Sequence, residues 1–223
     1  MRREGLGSRV KGQGSPRFAR GFAHFVRYAR GKAQEIKRGK IFVISAPSGC
    51  GKTTLLKKLL KEKALKLAHS ISMTSRPQRT DEKNGVDYYF VSKKAFEEKV
   101  ENGELLEWEE NFGHLYGTPR EFVENAMRTG KNVLLSTDVK GAMNIRKAYP
   151  ERSTLIFILP PSFKELEKRL RKRKTDESYV ISNRLKIARD EMAYSSHYDH
   201  TVVNDNLGLA YKKLRAVIRS DMA

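Results

Sequence analysis

Cysteine, long apolar runs and acidic residues are all scarce in this sequence, and each scarcity excludes a class of protein. Cys50 is the one cysteine among 223 residues, so no disulfide can form within the chain, which fits a reducing compartment. No apolar run approaches the roughly 20 residues that a membrane-spanning helix needs. The arginine-rich start also lacks the continuous apolar stretch of a secretory signal peptide. We therefore expect a cytoplasmic protein without a transmembrane segment.

Acidic residues are outnumbered by basic ones, 26 to 45, which gives a formal net charge of +19. Residues 1–40 carry +10 of this charge, from twelve Lys and Arg against two Glu. A protein this basic suits polyanionic ligands, meaning nucleotides or nucleic acids. The chain is long enough for one α/β domain that has small inserted lobes and a substantial core.

Residues 1–38 form a basic extension that the sequence predicts to be disordered or conditionally helical. Phe18, Phe22, Phe25 and Ala29 fall on one stripe of a helix, with arginines outside it. Three interpretations stay open. The segment is a solvated extension, a mitochondrial-type targeting segment that would change the localisation, or a weak contact to nucleic acid or acidic membrane.

Residues 40–54, KIFVISAPSGCGKTT, have the order strand, glycine loop and helix that is typical of a phosphate-binding loop. Ala46 stands where the pattern usually has its first glycine. The loop predicts that backbone N–H groups and the helix N-terminus bind phosphates, that Lys52 reaches the β- and γ-phosphates and that Thr53 ligates Mg²⁺. Cys50, beside a helix N-terminus, is expected to be a reactive thiol. The candidate nucleotide-binding residues are Ala46, Pro47, Ser48, Gly49, Cys50, Gly51, Lys52, Thr53 and Thr54.

Apolar strands alternate with helical patterns along the rest of the chain, which predicts an α/β fold. We expect a P-loop, doubly wound, five-stranded parallel sheet whose ligands lie at the carboxyl ends of the strands. The predicted strands are 41–46, 69–73, 132–137, 154–159 and a short one at 202–203. The predicted helices start at Lys52 and cover 139–148, 162–173, 178–195 and 207–220.

A small α+β lobe is predicted to interrupt this core, which consists of 39–73 and 131–223. The lobe spans 74–130. Within the lobe we expect a strand from Tyr88, a helix over 93–102, a strand over 104–112 and a loop at 114–118. A further helix is expected to begin at Pro119, with Thr118 as its N-cap.

The lobe also carries residues suited to a second substrate. Arg76 and Arg79 present two guanidinium groups that match a phosphate dianion, and Tyr88 and Tyr116 can donate or stack. Glu107 can accept the two adjacent donors of guanine, N1–H and the 2-amino group, whereas adenine would leave it unpaired. Singly, each of these residues has an ordinary structural explanation, such as a solvated charge or core packing. Together, beside a phosphate loop, they favour a guanine nucleotide.

From about Gly39 to its end, the chain resembles the guanylate kinase family. The matching stretches are SAPSGCGKTT, SMTSRPQRTDEKNGVDYYFVS, LLEWEENFGHLYGTP, DVKGAMNIR and VVNDNL, in the same order and spacing. The resemblance implies transfer of the γ-phosphoryl group of ATP to GMP with Mg²⁺, in purine nucleotide metabolism. Two positions depart from the usual family pattern: Ser136 stands at a common acid, and Lys140 at a common Gln.

The resemblance also implies that the lobe 74–130 binds the nucleoside monophosphate and that a helical lid spans about 170–190. It implies roles for individual residues as well. It places Arg76, Arg79, Tyr88 and Tyr116 at the phosphate of GMP, and Ser72, Glu107, Thr118 and Asp138 around the guanine base. It places Asn204 near the adenine of ATP, and it makes catalytic arginines of Arg169, Arg173 and Arg184.

Two alternatives remain at this stage. One is a kinase on the same scaffold with a different small phosphorylated acceptor, and the other is a binding module without catalysis. Such a module could dispense with Lys52, Thr53 and the lid arginines, which are all present here, so an enzyme is favoured.

Overall fold

The computed structural model describes residues 39–111, 113–172 and 178–222. The predictions for residues 1–38 and for Arg173 lie outside these ranges. Nine strands are described: β1 (Ile41–Ser45), β2 (Leu67–His69), β3 (Met73–Thr74), β4 (Tyr89–Phe90), β5 (Leu105–Asn111), β6 (His114–Pro119), β7 (Asn132–Ser136), β8 (Ser153–Leu159) and β9 (His200–Val203). The α-helices in these ranges are α1 (Lys52–Lys61), α2 (Lys93–Glu101), α3 (Arg120–Arg128), α4 (Val139–Ala148), α5 (Phe163–Lys172), α6 (Ser178–Ala193) and α7 (Leu207–Met222).

The main sheet has five parallel strands in the order β2-β7-β1-β8-β9, which confirms the predicted fold class. All five residues of β1 are buried, as expected for a central strand that helices cover on both faces. Successive side chains of a strand point to opposite faces. Phe42 and Ile44 therefore join the core on one side of the sheet, and Ile41 and Val43 join the core on the other.

A smaller sheet, in the order β4-β3-β6-β5, forms the inserted lobe. Strand β6 pairs antiparallel with β3 and β5. Helix α2 packs against this sheet through Phe96 and Val100. The small core of the lobe consists of Met73, Phe96, Leu105 and Leu115. Helix α3 follows this sheet in sequence but packs elsewhere, because Val123, Ala126 and Met127 lie in a core of the main sheet.

Three local predictions were wrong. Residues 114–118 form strand β6 and not a loop, because pairing with strands on both sides satisfies their backbone groups despite the glycine. Helix α3 begins at Arg120, and the Thr118 hydroxyl bonds to Glu107 instead of capping the helix. The predicted strand 69–73 is divided between β2 in the main sheet and β3 in the lobe sheet. Within the described ranges, no helix is both long and apolar enough to cross a membrane.

Candidate active site

The phosphate loop connects the carboxyl end of β1 to the start of α1. Gly49 and Gly51 have φ values of 94° and 85°, a left-handed conformation that glycine adopts without steric cost. Gly51 is the N-cap of α1 and offers no side chain to the first N–H groups of the helix, so these remain suited to an anion. Thr53 and Thr54 are exposed in the first turn. The order of strand, glycine loop and helix is as predicted, and the binding of a polyphosphate at this loop stays a prediction.

Lys52, the first residue of α1, extends towards the end of the neighbouring strand β7. Its Nζ atom donates to the carbonyl oxygen of Thr137 over 3.4 Å. Burial lowers the pKa of Lys52, while the charges of Glu191 and Asp138 act in the opposite direction. The negative charges near this desolvated ammonium group compensate its burial only in part. A bound phosphate would supply further negative charge.

Cys50 has no exposed surface and packs in the core beneath the loop. Burial raises the pKa of its thiol to about 12, against a smaller opposing effect of Arg169. The thiol is therefore protonated at neutral pH, and the expectation of a reactive cysteine was wrong. The residue contributes to the loop through its backbone.

Asn204, just beyond β9, supports the phosphate loop from the inside. The residue is 5% exposed, and its side-chain amide donates to the carbonyl oxygen of Cys50 over 2.7 Å. The backbone oxygen of Asn204 in turn accepts from Nη1 of Arg169 over 3.2 Å. This buried amide contacts the loop backbone, and the place of Asn204 near the adenine of ATP stays a prediction. Arg169 thereby lies beside the loop, and Arg184 is half-buried on α6.

Glu107 lies on β5 directly opposite Thr118 on β6. The Thr118 hydroxyl donates to Oε1 of Glu107 over 2.5 Å, and the glutamate is 7% exposed. Burial raises the pKa of Glu107 to about 7, and the nearby charges of Asp138 and Glu109 also raise it. The carboxyl group is therefore buried among polar side chains, which suits selective recognition of a pair of hydrogen-bond donors.

Asp138 is the N-cap of α4 and joins the lobe to the core. Its Oδ1 atom accepts from the N–H of Gly141 over 2.9 Å, and Oδ2 accepts from the side-chain amide of Asn111 on β5. A Cβ atom on Gly141 would lie 2.2 Å from Thr137 Oγ1 and 2.6 Å from Glu107 Oε2. Only glycine lets the first turn of α4 approach the Glu107 carboxyl group this closely.

The predicted phosphate-binding residues of the lobe cluster around Arg76. The rings of Tyr88 and Tyr116 have centroids 6.1 Å apart, and the Arg76 guanidinium lies 5.6 Å from the centroid of Tyr88. Arg79 is exposed on the same loop as Arg76. Ser72 is half-buried in the link between β2 and β3, where its carbonyl oxygen accepts from Tyr89 N.

Three residues at these positions were not identified from the sequence. Thr137 directly precedes Asp138 at the end of a predicted strand, a position that could have indicated it. Glu82 follows Arg76 by six residues and bonds to it, a pairing that a loop sequence does not reveal. Glu191 lies among other charges on α6. Burial raises its pKa to about 7, and Lys52 acts against this rise.

The donors available for a metal ion are few in the part of the chain that the structure describes. No group of three or more His, Cys, Asp and Glu there could hold a metal. The Thr53 hydroxyl is exposed at the phosphate loop. Mg²⁺ usually takes one or two protein ligands together with water and substrate phosphates, so this donor set fits Mg²⁺ that arrives with a nucleotide.

Comparison with known proteins agrees with this geometry. A family model described as "Guanylate kinase" matches residues 38–221. Guanylate kinase of Rhodopseudomonas palustris (strain HaA2) is 45% identical over 185 residues, covering 83% of this chain and 84% of that protein. Guanylate kinase of Chlorobium chlorochromatii (strain CaD3) is 46% identical over 180 residues, covering 81% and 94%. The crystal structure of guanylate kinase from Anaplasma phagocytophilum aligns with a TM-score of 0.71 at 34% identity, over 83% of this chain and 87% of that one.

Proposed function

The chain belongs to the guanylate kinase family, and from this premise we propose that it transfers the γ-phosphoryl group of ATP to GMP, giving ADP and GDP. One observation carries the proposal. Thr137 contacts both Lys52 of the phosphate loop and the carboxyl group of Glu107. Its carbonyl oxygen accepts from Lys52, and its hydroxyl lowers the pKa of Glu107 by hydrogen bonding. A donor triphosphate and an acceptor nucleotide bound at these two places would be neighbours.

The reaction needs no nucleophile from the protein, because an oxygen of the GMP phosphate attacks the γ-phosphorus directly. The protein contributes positioning and neutralisation of charge. Lys52 and the N–H groups of the loop would hold the β- and γ-phosphates, and Thr53 would hold Mg²⁺, which supplies further neutralisation when bound. Arg169, Arg173 and Arg184 are the side chains that we assign to the charge that develops on the transferred group.

Selectivity for guanine is assigned to Glu107. Its carboxylate would accept the N1–H and 2-amino donors of GMP, with Thr118, Asp138 and Ser72 around the base. AMP offers an acceptor at N1 and no 2-amino group, so the ionised carboxylate would keep its bonds from Thr118 and Thr137 but receive no donor from the base. A buried polar group that loses donors costs ~1–3 kcal/mol, and more when it is charged, which predicts discrimination against AMP.

The proposal is tested by a coupled assay of ADP release with GMP, dGMP, AMP and UMP as separate acceptors. We expect rapid release with GMP and little with AMP or UMP. Binding of GMP without any release of ADP would indicate a non-catalytic binding module instead.

Lys52→Met is the variant that tests the phosphate loop, because it removes the positive charge that would face the phosphates and keeps the helix. Lys61→Met, at the exposed end of the same helix α1, is its control. We expect Lys52→Met to lose at least about a hundredfold in kcat, as for removal of one charge-stabilising donor, while its melting temperature stays near that of the wild type. Near-normal turnover of the folded variant would refute the assignment of the phosphate loop.

A further inference from the structure

Glu82 lies in the loop after β3 and is hydrogen-bonded to Arg76 and Arg79, the two arginines that the family resemblance places at the phosphate of GMP. Its two carboxylate oxygens accept from Nη2 of Arg76 over 2.7 and 2.9 Å. Oε2 also accepts from the backbone N–H of Arg79 over 3.0 Å. The side chains of Arg76 and Glu82 are only 12% and 14% exposed, so solvent screens this pair less than a surface pair.

The loop itself holds Glu82 in place. The N–H of Glu82 donates to the carbonyl oxygen of Arg79 over 3.1 Å, which closes a turn. The side-chain amide of Gln78 donates to the Glu82 carbonyl oxygen over 2.6 Å. Because these bonds join residues of one short segment, the position of the carboxylate does not depend on how the lobe and the core are arranged.

Arg76 would otherwise be free to adopt many rotamers, since its side chain has four rotatable bonds. Here its guanidinium lies 5.6 Å from the ring centroids of both Tyr88 and Phe90, and Nη1 donates to the carbonyl oxygen of Pro77 over 2.7 Å. These contacts and a side-chain hydrogen bond with Tyr116 engage most of the five N–H donors of Arg76 and fix the orientation of those that remain.

Arg76 and Glu82 each stabilise the charged form of the other. Burial lowers the pKa of Arg76, but the hydrogen bonds and charge of Glu82, together with Tyr116, raise it above its usual value. Burial raises the pKa of Glu82, but Arg76 and the Arg79 N–H lower it overall. Both side chains therefore remain charged across the neutral range, and the bond between them persists there.

We propose that Glu82 is a positioning residue for the acceptor phosphate: it holds the Arg76 guanidinium beside Tyr88 and Tyr116, with its remaining donors oriented for the phosphate of GMP. This inference rests on the proposed function. A fixed arginine binds phosphate more tightly than a mobile one because less side-chain entropy is lost on binding. Glu82 acts through Arg76, and it is not assigned a contact with the substrate.

The test compares Glu82→Gln with Asp81→Asn, which removes the same charge from the exposed neighbouring position of the same loop. Affinity for GMP is measured by calorimetry, and affinity for guanosine, which lacks the phosphate, by inhibition competitive with GMP. Steady-state kinetics give KM for GMP, KM for ATP and kcat. Thermal unfolding reports on the fold of each variant.

We expect Glu82→Gln to raise the Kd and KM for GMP about tenfold, equivalent to about 1.4 kcal/mol. The affinity for guanosine and the KM for ATP should stay within about twofold of the wild type. Guanosine lacks the phosphate that Arg76 would bind, and ATP is assigned to the phosphate loop. Glu82→Asp, which keeps the charge on a shorter side chain, should fall between Glu82→Gln and the wild type. Asp81→Asn should behave as the wild type.

Two results would overturn the proposal. Unchanged binding of GMP to Glu82→Gln would mean that the carboxylate does not position its partner, and tighter binding would mean that it competes with the phosphate for Arg76. Equal losses for GMP and guanosine would mean that Glu82 only maintains the loop. The proposed function is tested separately in the same assay: if the wild type releases no ADP with GMP, that function fails, whatever the variant shows.

Discussion

Glu107 should make the use of GMP depend on pH near neutrality. The carboxyl group is 7% exposed, and burial raises its pKa to about 7, while the hydrogen bonds from Thr118 and Thr137 limit the rise. Guanine offers two donors, so only the ionised carboxylate can accept both of them. Productive binding of GMP to the free enzyme should therefore require that Glu107 has lost its proton.

The size of the effect follows from the fraction ionised. A group with a pKa of about 7 is about 9% ionised at pH 6 and about 91% ionised at pH 8, so kcat/KM for GMP should rise about tenfold over this range. The assay is a pH profile of kcat/KM for GMP at saturating ATP. The GMP phosphate titrates near pH 6 and contributes a step of its own, so a control is needed.

Glu107→Gln is that control, because the amide keeps an oxygen that can accept from Thr118 but does not titrate. Its profile should keep the phosphate step and lose the step near pH 7, at a much lower kcat/KM. A step near pH 7 that is the same in both proteins, or a wild-type profile without such a step, would refute the reasoning.

The same group has a consequence for stability. The folded pKa of about 7 lies above the ordinary value of 4.5, so the folded protein keeps a proton that the unfolded chain has released in this interval. The resulting stabilisation is fully present below pH 4.5 and is lost as the pH rises through 7. Glu107→Gln has no titratable group at this position, so it lacks this pH-dependent stabilisation. Its melting temperature relative to the wild type should therefore be higher at pH 8 than at pH 5, and an equal difference at both pH values would contradict the assignment.

Three further predictions follow from the phosphate loop and from the basic extension. Asn204→Leu should weaken the binding of ATP about tenfold in calorimetry, as expected for loss of a buried hydrogen bond, and should leave the affinity for GMP unchanged. Asp205→Asn is the exposed control, and an unchanged affinity for ATP would argue against the support of the loop by Asn204. Cys50 should react with iodoacetamide at pH 8 at least about a hundredfold more slowly in the folded protein than in denaturant, since its thiol is buried with a pKa of about 12; equal rates would contradict its burial. Removal of residues 1–38 should leave kcat within about twofold, because the site residues all lie beyond them, and should reduce salt-sensitive binding to a polyanion such as heparin; a large fall in kcat would assign the segment to the active fold.

Several features of this protein could be predicted from short stretches of its sequence. The apolar run before the glycines and the helical pattern after Lys52 were sufficient for the phosphate loop, and repeated strand and helix patterns were sufficient for the parallel sheet. The pair of arginines and the acid on an apolar strand indicated a guanine nucleotide. These signals are local, because strand alternation, helical period and the backbone freedom of glycine act over a few neighbouring residues.

The contacts that join these parts were decided by the tertiary structure. Lys52 meets Thr137 from 85 positions away, and Asn204 meets Cys50 from 154 positions away. Strand β6 was predicted as a loop because its glycine and proline disfavour a strand, and two neighbouring strands outweigh that preference. The burial that raises the pKa values of Cys50 and Glu107 likewise comes from elements distant in sequence. Local patterns do not contain these effects, because strand order and packing determine which distant residues meet and how far water is excluded from them.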